Sequence, residues 1–353
     1  MKHIIHICLA ITLLLLAACD QDRGFYRKYE DLIDSSKPLA YGANNVVHMF
    51  AAIPALESVT ALDMSITRET TLVVPEQYFQ VAKDDPSRLQ DLRKSRNLVL
   101  CGTLDSPDPV SAFIRQTLAP QLIEEVKSNG SALLVDTNVF CRDQIILFLL
   151  ATDTDKLAAL MQERADQAFY YLLEQYQKRL AYQAYRTKVM EAKVFQNSPF
   201  MLQLPLSYTS YKNDSKGAFL SFIYQPRIPD RKVADKYVSV YYEAMQENDI
   251  DSTWIYQKRQ ELGAKYFDGD QIAPEGNTAE PVMIAGYKGW KLSGSWVNSS
   301  LNSGVGGAFQ TFAFWHAPSK TAYLIDNLVY FPDGEKLPVL LELGMISQSL
   351  VIK

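Results

Sequence analysis

Histidine and cysteine are scarce in this sequence, and their scarcity removes several kinds of chemistry at once. Four of each occur in 353 residues, and beyond residue 18 only His48, His316, Cys19, Cys101 and Cys141 are left. Zinc and iron sites draw three or four such ligands together, so neither a metal nor a cofactor is expected. A nucleophilic serine is equally hard to place: no Gly-x-Ser-x-Gly elbow occurs, and Gly294-Ser295-Trp296 lacks the second glycine and a histidine partner. Gly304-Val305-Gly306-Gly307 leads into a predicted strand instead of a helix, so it presents no helix N-terminus to a phosphate. No excess of positive charge exists either. With 35 Lys and Arg against 40 Asp and Glu the formal charge is −5, and without a basic cluster nucleic acid and broad adhesion to anionic lipid are disfavoured. After residue 18 no apolar run is long enough to cross a bilayer.

The one long apolar run lies at the N-terminus. Lys2 precedes Ile4 to Leu16, which holds no Asp, Glu, Lys or Arg, and small residues follow. This is the three-part layout of a secretory signal, too short for a stable span. Leu16-Ala17-Ala18-Cys19 resembles the lipobox of bacterial lipoprotein precursors. That resemblance implies cleavage before Cys19, diacylglycerol on its thiol and acylation of the new amine. Each buried methylene adds about 0.8 kcal/mol, so two or three chains anchor firmly where one does not. Residues 1–18 are read as the signal and 19–44 as a tether; losing Lys2 with the signal leaves a formal charge of −6. The expected location is a bacterial cell envelope, lipid-anchored at the outer membrane on its periplasmic or surface face, with the membrane itself as first partner. Cys101 and Cys141 then remain. Outside the cytoplasm they either form one disulfide, closing a loop of about 40 residues and adding roughly 2–4 kcal/mol, or sit as two buried thiols acting as small apolar side chains.

Apolar residues at 48% with 21% charged make an ordinary globular composition. Two α+β halves are expected, 45–197 and 198–353, with Pro199 and Pro205 at the junction. In the first, Asn97 to Cys101 reads as a buried strand. Pro107 to Lys127 carries a helical stripe from Val110 to Val126, opened by Asp105 or Ser106 and closed by Asn129-Gly130. Leu133 to Phe140 and Gln144 to Ala151 form a hairpin, and Thr152 or Asp153 caps a long helix running toward Phe195. Strand, helix, hairpin, helix is a split βαβ, ferredoxin-like unit, with one more strand available from Asn45 to Phe50. It places the first strand beside the third, antiparallel, and brings Cys101 and Cys141 to one end of the sheet. In the second half, Phe200 to Leu206 and Ala218 to Tyr224 read as strands, Val233 to Met245 and Trp254 to Leu262 as helices, and Phe267 to Thr278 as a loop. Pro281 to Val297, Ala308 to His316 and Thr321 to Phe331 follow as an antiparallel meander, with a C-terminal helix over Leu337 to Leu350 to cover it.

Two groups of residues are candidates for function. Asp268-Gly269-Asp270 with Glu275 offers oxygen ligands at a spacing that departs from the calcium-loop pattern, and reads as a solvated loop. Asp268, Asp270 and Asp326 are also the acids that folding could gather into a carboxylate-dependent hydrolase. Trp290, Trp296 and Trp315 crowd the final sheet together with Phe309, Phe312, Phe314 and Tyr323. Alternation sets Phe312 and Phe314 on one face and Trp315 on the other, so these aromatics either stack on a glycan or peptide or fill core and second-face packing.

Together with the lipobox, several short stretches are similar to positions in a family of Gram-negative lipoproteins known only as a domain of unknown function (family 4837). They are Arg96-Asn97, Gln144, Gly294-Ser295-Trp296, Gly306-Gly307-Ala308-Phe309 and Leu328-Val329-Tyr330-Phe331-Pro332. Ala308 stands where that family has proline, and Val305 where it has methionine. The resemblance implies an envelope lipoprotein and brings no activity or site with it. The sequence is therefore read as a lipid-anchored, non-enzymatic binding or assembly component whose partner is an envelope protein or glycan, with no nucleic acid. The alternative is an envelope hydrolase using gathered carboxylates, and two carboxylates converging in a concave pocket would favour it.

Overall fold

The computed structural model describes Leu32 and residues 36–51, 59–227, 232–298 and 305–353; the signal, Cys19, most of the tether and Asn302-Ser303-Gly304 lie outside the described residues. None of the described helices is long and apolar enough to cross a membrane. The chain divides into two compact units, Met1–Ile66 with Gln80–Tyr182, and Thr67–Phe79 with Gln183–Lys353.

As far as Ala184 the elements are β1 (Val46–Ala51), α1 (Thr60–Ile66), a small hairpin β2 (Glu69–Thr71) and β3 (Pro75–Gln77), then β4 (Gln80–Lys83) and α2 (Leu89–Leu92). They continue with β5 (Asn97–Thr103), α3 (Pro109–Thr117), α4 (Pro120–Asn129), β6 (Ser131–Thr137), β7 (Ile145–Ala151), α5 (Thr154–Glu163) and α6 (Ala165–Ala184). The first unit is built on a sheet of order β4-β1-β5-β7-β6. Its first four strands run parallel and β6 runs antiparallel to β7. Every residue of β5 and β7 is buried, as strands covered on both faces require. Leu98, Leu100, Phe148 and Leu150 face Val110 and Ile114 of α3 in one core.

The stripe from Val110 to Val126 is two helices, not one. Asp108 caps α3, its carboxylate accepting the N–H groups of Val110 and Ser111. Pro120 then keeps the preceding residue out of the helical region: Leu118 (φ −78°, ψ 146°) and Ala119 (φ −62°, ψ 143°) are both extended. The chain turns back there, so β6 starts level with the end of β5, and β7 runs parallel to β5 with Leu149 opposite Cys101. This corrects the antiparallel placement and, with it, the disulfide. Cys101 lies toward the C-terminal end of β5. Cys141 precedes β7, and its Sγ donates to the carbonyl of Lys94 (3.4 Å), ahead of the N-terminal end of β5. Both cysteines are free and buried, and burial pushes the Cys101 thiol up to about 12 and raises that of Cys141. Asp153 caps α5, accepting the Lys156 N–H. The helical run is interrupted at Arg164 (φ −105°, ψ 8°) and stops at Ala184, short of Phe195. The backbone beyond it pairs elsewhere, Met190 N–H to the Leu204 carbonyl and Leu206 N–H to that of Lys188.

The second unit continues with β8 (Phe200–Met201), β9 (Thr209–Asp214), β10 (Phe219–Tyr224), β11 (Asp235–Ala244), α7 (Ser252–Tyr266) and β12 (Gln271–Ile272). Then come β13 (Thr278–Ile284), β14 (Tyr287–Asn298), β15 (Val305–His316), β16 (Thr321–Tyr330), α8 (Leu337–Ser347) and β17 (Val351–Ile352). Its large antiparallel sheet has the order β12-β14-β15-β16-β11-β10-β9, with β13 also pairing with β14. Adjacent residues of β16 show that both faces are covered: Asp326 meets Arg259 of α7, while Asn327 donates to Ser347 of α8 (2.8 Å). Successive strand residues face opposite ways, so α7 and α8 lie on opposite faces.

Val233 to Met245, expected as a helix, contains β11 instead. This strand pairs with β10 on one side and β16 on the other, placing Tyr237 and Tyr241 on the α7 face and Val238 and Val240 on the α8 face. Apolar residues on both faces erase the period-two signature of a half-exposed strand; the β-branched and aromatic content was the remaining signal. Pro281 to Val297 is likewise two strands, turned by Ala285 (φ 51°) and Gly286 (φ 86°), the double left-handed geometry of a tight hairpin. Thr67–Phe79 belongs to this unit. Glu76 there accepts the N–H groups of Lys336 (2.9 Å) and Leu337 (2.7 Å), placing a carboxylate at the N-terminus of α8, where it is favoured by the helix dipole.

Candidate functional site

Helix α7 covers the middle of one face of the large sheet and stops at Tyr266; beyond its end a cavity of about 170 Å³ opens on the same face. Phe267, Asp268 and Asp270 form the rim that follows the helix. Strands separated in sequence supply the rest: Tyr211 from β9, Tyr237 from β11, Leu328 and Tyr330 from β16, Trp296 and Asn298 from β14, and Val305 from β15.

Local rules explain how these side chains reach one place. The β9–β10 pairing steps from Ser221↔Lys212 to Phe222↔Ser210, so Tyr211 is the extra residue of a bulge. A bulge re-aims the side chain it carries, and Tyr211 meets Tyr237 edge-on (5.2 Å between ring centres) and Phe267 stacked (5.8 Å). Asp268 (φ 52°) and Gly269 (φ 90°) are both left-handed, a conformation that aspartate and glycine tolerate best, and this folds the loop tightly behind the helix. Gly263 makes room for it: a Cβ there would lie 2.4 Å from the Asp270 carbonyl. Gly307 sits opposite Trp296, where a Cβ would come within 2.8 Å of the indole Nε1. The glycine that the sequence flagged beside Phe309 therefore lets the indole lie over the strand.

The polar groups are arranged in two layers. Asn298 donates through Nδ2 to Asp270 Oδ1 (2.7 Å) and to the Asp268 carbonyl (3.1 Å), fixing the loop to the sheet. Asp270 is 5% exposed. Burial pushes its carboxyl up to about 6, against the lowering influence of the Asn298 hydrogen bond and the Arg259 charge. Deeper, fully buried Arg259 and Asp326 form an ion pair (Nε to Oδ1, 3.1 Å); Thr311 also donates to Oδ1 (2.6 Å), and the guanidinium lies 4.8 Å over the Phe309 ring. Burial raises the Asp326 carboxyl despite both partners. Burial and the neighbouring acids raise the phenols of Tyr211 and Tyr237, so both remain neutral hydroxyl groups.

The sequence candidates divide accordingly. Asp268, Asp270 and Trp296 line the cavity, whereas Asp326 lies outside its lining and is held by Arg259. Trp290 packs against the core under α7, and Trp315 donates to the Met245 carbonyl (3.0 Å). His48 pairs with Asp84 (2.7 Å) and His316 with Ser319 (2.8 Å). Tyr211, Tyr237, Phe267 and Asn298 had no signal of their own in sequence, and Tyr330 stood only within the Leu328-to-Pro332 stretch, because the wall they form exists only after the strands of the large sheet pair. Among the described residues no group of three or more His, Cys, Asp or Glu is placed to hold a metal ion. Nor does any serine, cysteine, histidine, lysine or arginine among them line this cavity.

The fold and the site together define an α+β protein with an aromatic-walled, acid-lined cavity in its second unit. Residues 187–349 match the family described as "Domain of unknown function (DUF4837)", and every described residue lining the cavity lies inside the matched segment. Arg96-Asn97 and Gln144 fall outside the match. No curated protein sequence matches the chain. Among solved structures it is similar to the Saccharomyces cerevisiae Ran-binding protein Mog1p (10% identity, TM-score 0.31, 44% of this chain and 90% of that one). It is also similar to Synechocystis sp. PCC 6803 PsbP (CyanoP) (12%, TM-score 0.30, 45% and 89%). A third likeness is to Mycobacterium tuberculosis LpqN, described as involved in cell envelope biogenesis (17%, TM-score 0.25, 44% and 83%). At these identities and scores no activity or partner follows for this chain.

Proposed function

We propose that this protein is a lipid-anchored envelope component whose second unit binds a ligand group in the aromatic and acidic cavity without turning it over. One observation carries the binding half: five aromatic rings and two carboxylates from widely separated segments converge on one cavity of about 170 Å³, with the apolar walls and few convergent polar groups of a recognition site, on the scale of a small head group. The Leu16-Ala17-Ala18-Cys19 motif supports the anchoring half. Lipidation at Cys19 is tested by mass spectrometry of the processed N-terminus; an unmodified Cys19 thiol would contradict it.

A hydrolase reading draws on one specific observation, the pairing of Asp270, raised to about 6, with Asp268 in the same cavity. A buried carboxyl raised toward neutrality can serve as a general acid. A panel of glycoside and ester substrates decides between the two readings. Turnover that follows the purified protein and is lost in both Asp268→Asn and Asp270→Asn would establish the hydrolase; no turnover, with ligand bound, is the outcome expected here.

A further inference from the structure

We propose that the cavity accepts a small organic cation, an alkylammonium group on a soluble ligand, held against the single aromatic wall that Tyr211, Tyr237 and Phe267 form by packing on one another, and beside the carboxylate of Asp270. This deepens the binding reading above and rests on it. Aromatic faces carry negative charge density and attract cations, most strongly where water is excluded, and these three rings pack against one another at 5.2–5.8 Å. The cavity holds acids and, among the described residues, no lysine or arginine. Two basic groups among them reach the surroundings of the cavity and both are engaged: Lys212 Nζ lies 5.2 Å from the centre of the Tyr211 ring, a cation already drawn to this aromatic cluster, and Arg259 is held by Asp326 and by the face of Phe309. An apolar ligand would seal the Asp270 carboxylate away from water without a counter-charge, which is costly, and an anion would be repelled. At about 170 Å³ the space equals roughly five or six waters at about 30 Å³ each, enough for a substituted ammonium head and too small for a sugar chain.

The test is calorimetric titration of the full mature chain in detergent with choline and with its uncharged carbon isostere, 3,3-dimethyl-1-butanol. Choline is expected to bind about tenfold or more tighter than the isostere, the ratio that about 1.4 kcal/mol represents. Asp270→Asn should weaken choline about tenfold and leave the isostere within about twofold. Tyr211→Leu should weaken choline about fivefold, while Tyr211→Phe, which keeps the ring, should not. Each variant is first required to unfold cooperatively near the parent temperature, and Tyr211→Phe remains informative if Tyr211→Leu does not fold. Equal affinity for choline and isostere, or an unchanged Asp270→Asn, overturns the cation proposal and leaves the binding reading standing; no heat from either ligand with the folded parent removes both.

Discussion

Among the described residues each unit buries one arginine, and the two are satisfied in opposite ways. Arg179 in α6 of the first unit donates from Nε to Asp143 Oδ1 (2.5 Å), from Nη1 to Asn97 Oδ1 (2.7 Å) and the Asn44 carbonyl (3.3 Å), and from Nη2 to the carbonyls of Arg96 (3.2 Å) and Asp143 (3.0 Å). Arg259 in the second unit has one carboxylate at 3.1 Å and a ring face, and none of its nitrogens makes a well-aligned hydrogen bond among the described residues. A guanidinium that ties together the chain leading into β1, β5 and β7 is a structural clamp. One held by a single carboxylate and a ring face leans on that one partner, so its cost and its removal are tied to Asp326 alone.

Substitutions at the two arginines should differ in cost, and the largest effect is expected at Arg179. Arg179→Met should destabilise the first unit by about 3–5 kcal/mol, because it leaves the buried Asp143 carboxylate with Arg96 (3.3 Å) alone. Adding Asp143→Asn should recover little, since Asn97 Oδ1 and the Asp143 carbonyl also lose Arg179 as donor. Arg259→Met should cost less, about 2–3 kcal/mol, because Asp326, already raised by burial, can take up a proton. The double variant Arg259→Met/Asp326→Leu should return to within about 1 kcal/mol of the parent, as apolar replacements of buried pairs do. Urea unfolding of the four variants measures both. If the two arginines behave alike, the contrast between clamp and site disappears.

A smaller effect comes with pH. Asp270 titrates near 6 in the folded chain and near 3.9 in an unfolded one. A raised carboxyl binds its proton more tightly when folded, so its stabilising contribution is complete below about pH 3.9 and is lost as pH rises through 6. The second unit should lose stability between pH 4 and 7, and Asp270→Asn should flatten that slope in thermal unfolding; a parent slope that survives the substitution would contradict the assignment. Asp214, lowered to about 2 by hydrogen bonds from Tyr266 and Gly217, acts in the opposite sense: its contribution is complete above about pH 3.9 and is lost as pH falls from there through 2. The smallest signal is chemical: Cys101 and Cys141 should resist thiol reagents in the folded chain and both react after denaturation without reductant. Finding no reactive thiol in the denatured, unreduced protein would restore the bridge.

Much of the framework was legible where local chemistry decides it. Asp153 as a cap, Gly130 (φ 87°) closing α4, the hairpin β6–β7, the final meander and α8 all follow from caps, turns and periodicity. What escaped was set by single residues with distant consequences. Pro120 split one stripe into two helices and thereby fixed the polarity of three strands, which moved the two cysteines to opposite sheet ends. Strand β11 looked helical because both its faces are apolar. The cavity was half visible: Asp268, Asp270 and Trp296 stood out by type, while Tyr211 depends on a bulge that no spacing announces.

The most direct measurement of the central claim, that the second unit holds a cation-binding cavity, is hydrogen exchange on the full mature chain with and without saturating choline. Slowed exchange confined to peptides spanning 209–214, 267–272 and 294–298, with the first unit unchanged, is the predicted result. No protection in those peptides, or equal protection in both units, would contradict it.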